Sequence, residues 1–392
     1  MLEVALDRHR ILMLKNKIYN YLSNEILKNF IIILITFTAI AWVVRAVNFL
    51  DIMVEDGYST SVYFKYSLLN ITNILTRFIP LAFLLSLTVS IVKFERQQEL
   101  LILWTSGLAK IKIVNIFLLI AFVATLFQLI LSLFVNPFLL NKSRFLLSDT
   151  ATLQINSVLR SNDFSDTFKG LTIYIGKKNT ANELLNVFIK DTNGSLSTLL
   201  NEVDEKNNSV IVAKKGFATK NKLVLFNGTI QTLNKKNEIK NIKFVKTELN
   251  LSNVTTRTIK QAKIQETSSS LLFQCIFNKD KNFNITNCKK NNYKSEVVQN
   301  LSRRLGMPLY IPLITVIVSF LLIQKKEKKY IFLDKYLVFT LSFLLLIISE
   351  IFLKYAGLSL LMTSTYFILP VIITFLFYIL LLKKIITENV SK

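Results

Sequence analysis

Residues 113–135 read IVNIFLLIAFVATLFQLILSLFV and contain no charged side chain. A helix of this length is long enough to cross the roughly 30 Å hydrocarbon core of a bilayer, so the stretch predicts a membrane span. Apolar runs of similar length lie on both sides of it, at 30–50, 62–92, 305–323, 336–353 and 360–382. The sequence therefore predicts an α-helical membrane protein with six transmembrane helices.

A long polar insert separates the third span from the fourth. Its short segments rich in Val, Ile, Leu, Phe and Thr alternate with polar or glycine-containing breaks, a pattern typical of β-strands. Asn227-Gly228 is a signal for a type I′ hairpin turn, while Asn193-Gly194 and Lys215-Gly216 are weaker turn signals. We expect an inserted all-β domain, either a sandwich or a jelly roll. Its predicted strands are Leu171–Ile175, Leu184–Lys190, Val210–Ala213, Lys222–Phe226, Thr229–Leu233 and Ile239–Leu251.

Basic residues mark one side of the predicted membrane. They cluster before the first span, after the second and fourth spans, and after the sixth. Because cytoplasmic loops carry an excess of Lys and Arg, we expect both termini in the cytoplasm and the β domain on the opposite side. The predicted layout is a cytoplasmic amphipathic leader (1–29), transmembrane helices 1–3 (30–135), the β domain and its return segment (136–300), transmembrane helices 4–6 (301–384) and a cytoplasmic tail (385–392).

Composition argues against several classes of protein. The net charge of +23 is compatible with nucleic acid binding, but the inside loops and the Lys- and Asn-rich insert explain much of it, so no nucleic acid partner is predicted. The single histidine, His9, excludes a His-based catalytic triad and a multi-histidine metal site. No phosphate-binding loop motif occurs. We therefore predict no catalytic residues, no metal and no cofactor, and any ATP hydrolysis must come from another chain.

The two cysteines, Cys275 and Cys288, both lie late in the insert. If the insert is extracytoplasmic, a disulfide between them would close a loop of about a dozen residues and add about 3 kcal/mol. Two unpaired thiols are the alternative. Two thiols alone make a poor zinc site.

Residues 93–108 predict a short amphipathic helix in the connector after the second span. Phe94, Leu101, Trp104 and Leu108 recur at helical spacing, which places them on one face of the helix. Its two glutamates stand four residues apart, and a glycine near its end suits a helix C-cap. Such a helix suits docking into a groove on another protein; a helix lying on the membrane surface is the alternative. The predicted coupling residues are Phe94, Glu95, Glu99, Leu101, Trp104, Gly107 and Leu108.

Three stretches carry a resemblance to a known family. Residues 42–51 (WVVRAVNFLD), 99–108 (ELLILWTSGL) and 296–309 (EVVQNLSRRLGMPL) resemble the LptF/LptG permease family, and the first two are more similar to its LptF branch. The likeness extends over almost the whole chain. Trp104-Thr105 departs from the family pattern, in which a smaller or basic residue usually precedes the small-Gly pair.

The resemblance implies a function and a set of partners. Members of this family are membrane subunits of the ABC transporter that extracts lipopolysaccharide from the bacterial inner membrane. The resemblance implies a periplasmic β-jellyroll domain, a heterodimer with an LptG-like permease, and an LptB-like ATPase dimer that docks on residues 93–108. It also implies LptC-like and LptA-like proteins that form a periplasmic β bridge.

Polar residues within the spans or near their outer ends are the candidate substrate contacts. Arg45 lies about 7–8 Å below the outer interface at 1.5 Å per residue, where it could bind a lipid A phosphate or extend its side chain to water. Lys65, Asn73 and Arg77 form a polar stripe on span two, which we expect to face the central cavity. We expect Arg303 and Arg304 to pair with Glu296 or with substrate phosphate. We expect Glu350 to form an ion pair with Lys354, four residues later. The predicted substrate-binding residues are Arg45, Lys65, Asn73, Arg77, Arg303 and Arg304.

Two other interpretations remain open. One is the sister subunit LptG, which has the same architecture. The other is a membrane-anchored periplasmic binding protein without transport activity, although a pure anchor needs only one or two spans. An intramembrane enzyme has no support, because the spans contain no paired Asp or His constellation.

Overall fold

The computed structural model describes residues 2–50, 60–151, 159, 161–168, 170–179, 183–192, 209–218, 222–233, 239–250, 263–277, 291–323 and 331–390. Its helices are α1 (Leu2–Asn48), α2 (Thr60–Leu69), α3 (Ile71–Arg96), α4 (Glu99–Thr105), α5 (Lys110–Ile130), α6 (Asn136–Ala151), α7 (Ser269–Phe277), α8 (Asn291–Gly306), α9 (Tyr310–Ser319), α10 (Ile331–Tyr355) and α11 (Leu360–Val390). A π-helical turn, Leu131–Val135, joins α5 to α6. Short 3₁₀ turns occupy Ile264–Glu266, Met307–Leu309 and Phe320–Leu322.

Six helical stretches among the described residues are long and apolar enough to cross a membrane, which confirms the predicted number. They are Lys17–Asn48, Thr60–Arg96, Lys110–Leu147, Lys294–Leu322, Lys335–Tyr355 and Leu360–Glu388. In the fourth stretch 72% of the most apolar window is buried within the chain, against 17% in the first and the sixth. The fourth span is therefore the centre of the helical packing, and the first and sixth leave most of their apolar surface for lipid or another subunit.

The chain divides into two compact units. The first comprises Met1–Trp42, Ile71–Leu140 and Lys263–Lys392, and the second comprises Val43–Asn70 and Asn141–Ala262. The boundary after Asn70 coincides with a break between α2 and α3, where the Asn70 amide donates to the carbonyl of Tyr66 at 2.8 Å. A side chain that bonds its own backbone in this way competes with continuation of the helix. The predicted second span is consequently two helices rather than one.

Proline positions explain several contacts between helices of the first unit. Proline has no N–H for the carbonyl four residues before it, and bilayer hydrocarbon cannot satisfy that carbonyl. Gln128 Nε2 donates to the carbonyl of Thr76, four residues before Pro80, at 3.2 Å. Ser132 Oγ donates at 2.8 Å to the carbonyl of Arg304, four residues before Pro308.

The same relation holds at the other end of the third span. Ser269 Oγ donates at 2.7 Å to the carbonyl of Leu133, four residues before Pro137. Thr125 Oγ1 lies 3.4 Å from the Pro308 carbonyl, which precedes Pro312, although it lies closer to Ala121 in its own helix. Polar side chains of the third span and of α7 thus satisfy backbone groups that the prolines leave open.

The insert forms one antiparallel sheet in the second unit. Its strands are β1 (Asp163–Phe168), β2 (Leu171–Lys178), β3 (Glu183–Asp191), β4 (Ser209–Ala218), β5 (Lys222–Leu233) and β6 (Ile239–Asn250), paired in sequence order. Apolar side chains of one face, among them Ile173, Ile189, Ile211 and Leu225, are buried in a common core. The all-β insert is confirmed. The described strands form a single six-stranded meander, not the two facing sheets of a sandwich, and they do not close into a barrel.

The predicted hairpin at Asn227-Gly228 is wrong, because both residues lie inside the continuous strand β5. Asn227 has a left-handed φ of 52°, and Asn186 in β3 has a φ of 54°. An asparagine tolerates this conformation in a turn and in a bent strand alike. Gly228 is required by close packing, since a Cβ there would lie 2.3 Å from the Val212 carbonyl. The predicted turn at Lys215-Gly216 likewise lies inside β4, and Asn193-Gly194 lies outside the described residues.

Candidate functional site

The connector after the second span is not one continuous helix. Helix α3 ends at Arg96, the chain turns at Gln98, which has a left-handed φ of 58°, and the seven-residue helix α4 follows. The predicted common face of Phe94 and Leu101 is therefore wrong. Phe94 is fully buried in the core of the helical unit, because the turn at Gln98 separates its face from that of α4.

The C-terminal end of α4 has the geometry that its glycine predicts. Gly107 has a φ of 86°. Its N–H donates to the Trp104 carbonyl, and the N–H of Leu108 donates to the Leu103 carbonyl, both at 3.1 Å. This pair of bonds is a Schellman motif, in which a residue with positive φ ends the helix. Leu108 is buried, so the cap also packs the end of the connector against the helical unit.

The two glutamates of the connector bind other spans of the same chain. Glu95 forms an ion pair with Lys335 at the start of α10, with Oε2 and Nζ 2.7 Å apart. The Tyr21 hydroxyl of α1 donates to both carboxylate oxygens of Glu99, at 3.0 and 3.2 Å. Nearby, Lys93 pairs with Glu25 of α1. The acidic edge of the connector is thus tied to the first and fifth spans.

Apolar side chains form the outward surface of α4. Leu101 is 48% exposed and Ile102 is 63% exposed, whereas Leu100 is buried beneath them. A cleft of about 330 Å³ runs alongside and is lined by Lys17, Ile18, Tyr21, Glu99, Ile102 and Leu103. Exposed apolar residues beside a cleft, next to partly exposed carboxylates, are the features of a docking surface for another protein. Ile102 was missed from the sequence because the assumed continuous helix placed it off the apolar face.

The candidate substrate residues fall into both units. Arg45 and Lys65 belong to the second unit, and both side chains are exposed. In the first unit, Arg77 is exposed on α3, and Asn73 Oδ1 accepts a long hydrogen bond of 3.4 Å from Asn136 Nδ2. The predicted stripe on span two is therefore divided by the break at Asn70.

Arg303 and Arg304 have different environments. Arg303 forms a partly exposed ion pair with Glu350, with Nη2 and Oε2 3.0 Å apart. Glu350 therefore pairs with Arg303 and not with Lys354, because Arg303 approaches it from α8.

Arg304 is only 6% exposed, and its guanidinium is held within the chain. It donates to the carbonyls of Ile264, Gln265 and Thr267 at 3.1 Å each. It also donates to Ser269 Oγ at 2.7 Å and to Asn300 Oδ1 at 3.0 Å. The sequence predicts Arg304 at the cavity surface, in contact with substrate. In the structure Arg304 instead anchors the segment that returns from the β domain.

Cys275 is buried in α7, where it packs with Leu272, Val297 and Leu301. Cys288 lies outside the described residues. The bond between the two cysteines stays a prediction. Among the described residues, no group of three or more His, Cys, Asp or Glu side chains could hold a metal ion.

Comparison with known proteins identifies one family. The family model described as lipopolysaccharide export system permease LptF/LptG matches residues 20–384, which is nearly the whole chain. The match extends from within the first span to within the sixth, and it includes the connector with α4 and the inserted sheet. No curated protein sequence matches the chain.

Proposed function

The chain belongs to the LptF/LptG family of lipopolysaccharide export system permeases, and we propose that it is the LptF-type half of an ABC transporter. In this proposal it lies in the bacterial inner membrane with both termini in the cytoplasm and the β sheet in the periplasm. It extracts lipopolysaccharide from the outer leaflet and passes it to a periplasmic β bridge. The observation that carries the proposal is the family match over residues 20–384.

The surface of α4 is the proposed site for an LptB-like ATPase dimer. Leu101 and Ile102 present apolar area outward, and the lining of the cleft beside them includes Lys17 and Glu99. A groove on the ATPase that receives an apolar helix would bury these two side chains. The sequence has no phosphate-binding loop motif. In this proposal ATP hydrolysis by the partner provides the free energy, and this chain contributes different affinities for lipopolysaccharide in its open and closed states.

Exposed basic residues are the proposed contacts for the anionic head group. Arg45, Lys65 and Arg77 are exposed. Arg45 and Lys65 lie near the ends of the apolar stretches Lys17–Asn48 and Thr60–Arg96, where lipid A phosphates would lie, whereas Arg77 lies near the middle of the second stretch. Arginine forms bidentate hydrogen bonds with phosphate, so Arg45 and Arg77 are the stronger candidates. Arg303, whose guanidinium binds Glu350, is a further candidate. The first and sixth spans leave most of their apolar surface exposed. Together with an LptG-like partner, they would contact the acyl chains of lipopolysaccharide.

Membership of the family does not distinguish LptF from LptG. The LptF assignment is supported by residues 42–51 and 99–108, which are more similar to that branch. An LptG-like permease is therefore the proposed partner of the heterodimer. LptC-like and LptA-like proteins are the proposed periplasmic partners of the β sheet, whose edge strands β1 and β6 each have one unpaired side in the described sheet.

Purification of the full chain from its native membrane tests the proposal. We expect a second six-span homologue, an ATPase and lipopolysaccharide to co-purify, and we expect ATP to release the glycolipid from reconstituted complex. A chain that carries lipopolysaccharide but no ATPase would support a membrane-anchored binding protein instead. A partner closer to LptF than this chain would reassign the chain as LptG.

A further inference from the structure

Lys110 is the first residue of α5 and directly follows the connector that contains α4. Its side chain is only 8% exposed, although lysine is among the residues least often buried. Its ammonium lies 2.6 Å from Glu388 Oε1 in the last turns of α11, and the Glu388 side chain is 15% exposed. The pair therefore joins the start of the third span to the end of the sixth.

The same ammonium contacts the connector. Lys110 Nζ lies 4.3 Å from the centroid of the Trp104 ring, within the range of a cation–π interaction. Trp104 is in the last turn of α4. One charged group thus holds the end of α4 and the end of the sixth span at the same point.

The opposite end of α4 is held differently. Glu99 in its first turn accepts the Tyr21 hydroxyl from the first span. The helix has seven residues, so its two ends are fixed to two different spans across about two turns. The two ends of α4 are therefore linked to the first and the sixth span, respectively.

A buried ion pair is a poor device for stability alone. Removing two charges from water costs about as much as their attraction returns, and apolar replacements of such pairs are often neutral. The pair instead fixes one geometry, because a short hydrogen bond and a ring contact must be satisfied by the same ammonium.

We propose that Lys110 is a positioning residue of the transport cycle, which holds Trp104 against Glu388 so that movement of α4 reaches the sixth span. The inference rests on the proposed function, in which α4 receives movement from an ATPase. Lys110 touches neither nucleotide nor glycolipid in this role. We expect its loss to uncouple ATP hydrolysis from transport. ATP hydrolysis and lipopolysaccharide binding, which take place elsewhere in the complex, should continue.

The test uses the complete complex, purified with its own partners and reconstituted in bilayers. Lys110→Met removes the ammonium, and Lys112→Met is the matched control, because Lys112 is an exposed lysine on the same turn of α5. A Trp42→Phe background leaves Trp104 as the only tryptophan of this chain, since the sequence has two. Three quantities are measured: the ATP hydrolysis rate, the lipopolysaccharide released per ATP, and the change in tryptophan emission on adding ATP, referenced to complex without the Trp104 ring (Trp104→Phe).

We expect Lys110→Met to lower the lipopolysaccharide released per ATP by about tenfold, a typical size for coupling between two sites. The hydrolysis rate stays near that of the parent complex, and the ATP-dependent change in Trp104 emission disappears. Lys112→Met leaves all three unchanged. Glu388→Gln, which keeps the shape of the side chain, gives the same loss, and it replaces Lys110→Met if that variant does not assemble.

Charge exchange provides a second measurement. The double variant Lys110→Glu, Glu388→Lys restores the ion pair but not the cation–π contact, so it should recover assembly while transport per ATP stays low. Unchanged transport per ATP in both Lys110→Met and Glu388→Gln would overturn the inference. A parallel loss of thermal stability, hydrolysis and transport would also overturn it, in favour of a purely structural pair. If the parent complex shows no ATP-dependent release, the proposed function itself fails.

Discussion

The side-chain amide of Gln128 donates to the carbonyl of Thr76, the carbonyl that Pro80 leaves without a helical donor. Gln128 is 3% exposed, so bulk water does not reach this bond. A polar residue of one span thus compensates for a proline in another. The effect of replacing Gln128 should therefore depend on whether Pro80 is present.

Gln128→Met should destabilise the chain by about 1 kcal/mol, the usual size of a hydrogen bond between membrane helices. In a Pro80→Ala background the alanine N–H can bond the Thr76 carbonyl, so the same substitution should cost less. Unfolding in detergent of the parent, the two single variants and the double variant measures this difference. Equal costs in both backgrounds would show that Gln128 stabilises the bundle in some other way.

Arg304 should prove more important for stability than its neighbour. Arg304→Met removes a buried guanidinium that donates to three backbone carbonyls, of which that of Thr267 is buried, and this should cost about 3 kcal/mol. Arg303→Met breaks a partly exposed ion pair and should cost less than about 1 kcal/mol. Thermal unfolding of both variants gives the comparison. If Arg304→Met unfolds at the same temperature as the parent but loses glycolipid crosslinking, Arg304 is a substrate contact as the sequence predicts.

The exposed apolar residues of α4 should decide binding of the ATPase. Ile102→Asp places a charge at the centre of the proposed interface and should weaken capture of the ATPase by about tenfold or more. Gln97→Asp adds the same charge just before α4, outside that apolar surface, and serves as the control. Pull-down from membranes at several salt concentrations measures both. Full capture by Ile102→Asp would place the ATPase elsewhere on the chain.

Charge reversal at Arg45 tests the head-group contact. Arg45→Glu should reduce photocrosslinking of lipopolysaccharide by about tenfold, because a phosphate contact becomes a repulsion. Arg45→Lys keeps the charge and should retain most of the signal. Undiminished crosslinking in Arg45→Glu would mean that Arg45 only extends its side chain to water at the interface.

The Cys275–Cys288 bond has a direct chemical test. A maleimide probe applied to denatured protein should label neither cysteine before reduction and both after it. A single-cysteine variant, Cys288→Ser, should label without reduction at Cys275, which checks that the buried thiol becomes accessible under the conditions used. Labelling of the unreduced parent would show two free thiols.

The sequence predicts the six spans and the all-β insert well, because both depend on local periodicity. Long apolar runs leave no alternative to membrane helices, and alternating Val, Ile and Phe favour strands. The connector at residues 93–108 shows where periodicity is not enough. Gln98 adopts a left-handed conformation that glutamine seldom takes, and nothing in the local pattern indicates a break there.

Long-range pairs could not be predicted for a different reason. Lys110 and Glu388 are separated by 278 positions, so no spacing rule relates them. The charge of Arg304 is visible in the sequence, but its partners are mainly backbone carbonyls, which every residue has. Asn227-Gly228 signals the correct local conformation, a left-handed residue, and only the surrounding strands decide between a turn and a bend.

The bond between Gln128 and the Thr76 carbonyl also has an evolutionary consequence. A homologue that replaces Pro80 with an ordinary helix former regains a backbone donor and no longer needs an amide at position 128. The two positions should therefore covary among relatives, as should Ser132 with Pro308 and Ser269 with Pro137. Selection would act here on the backbone of a neighbouring helix rather than on any contact between two side chains.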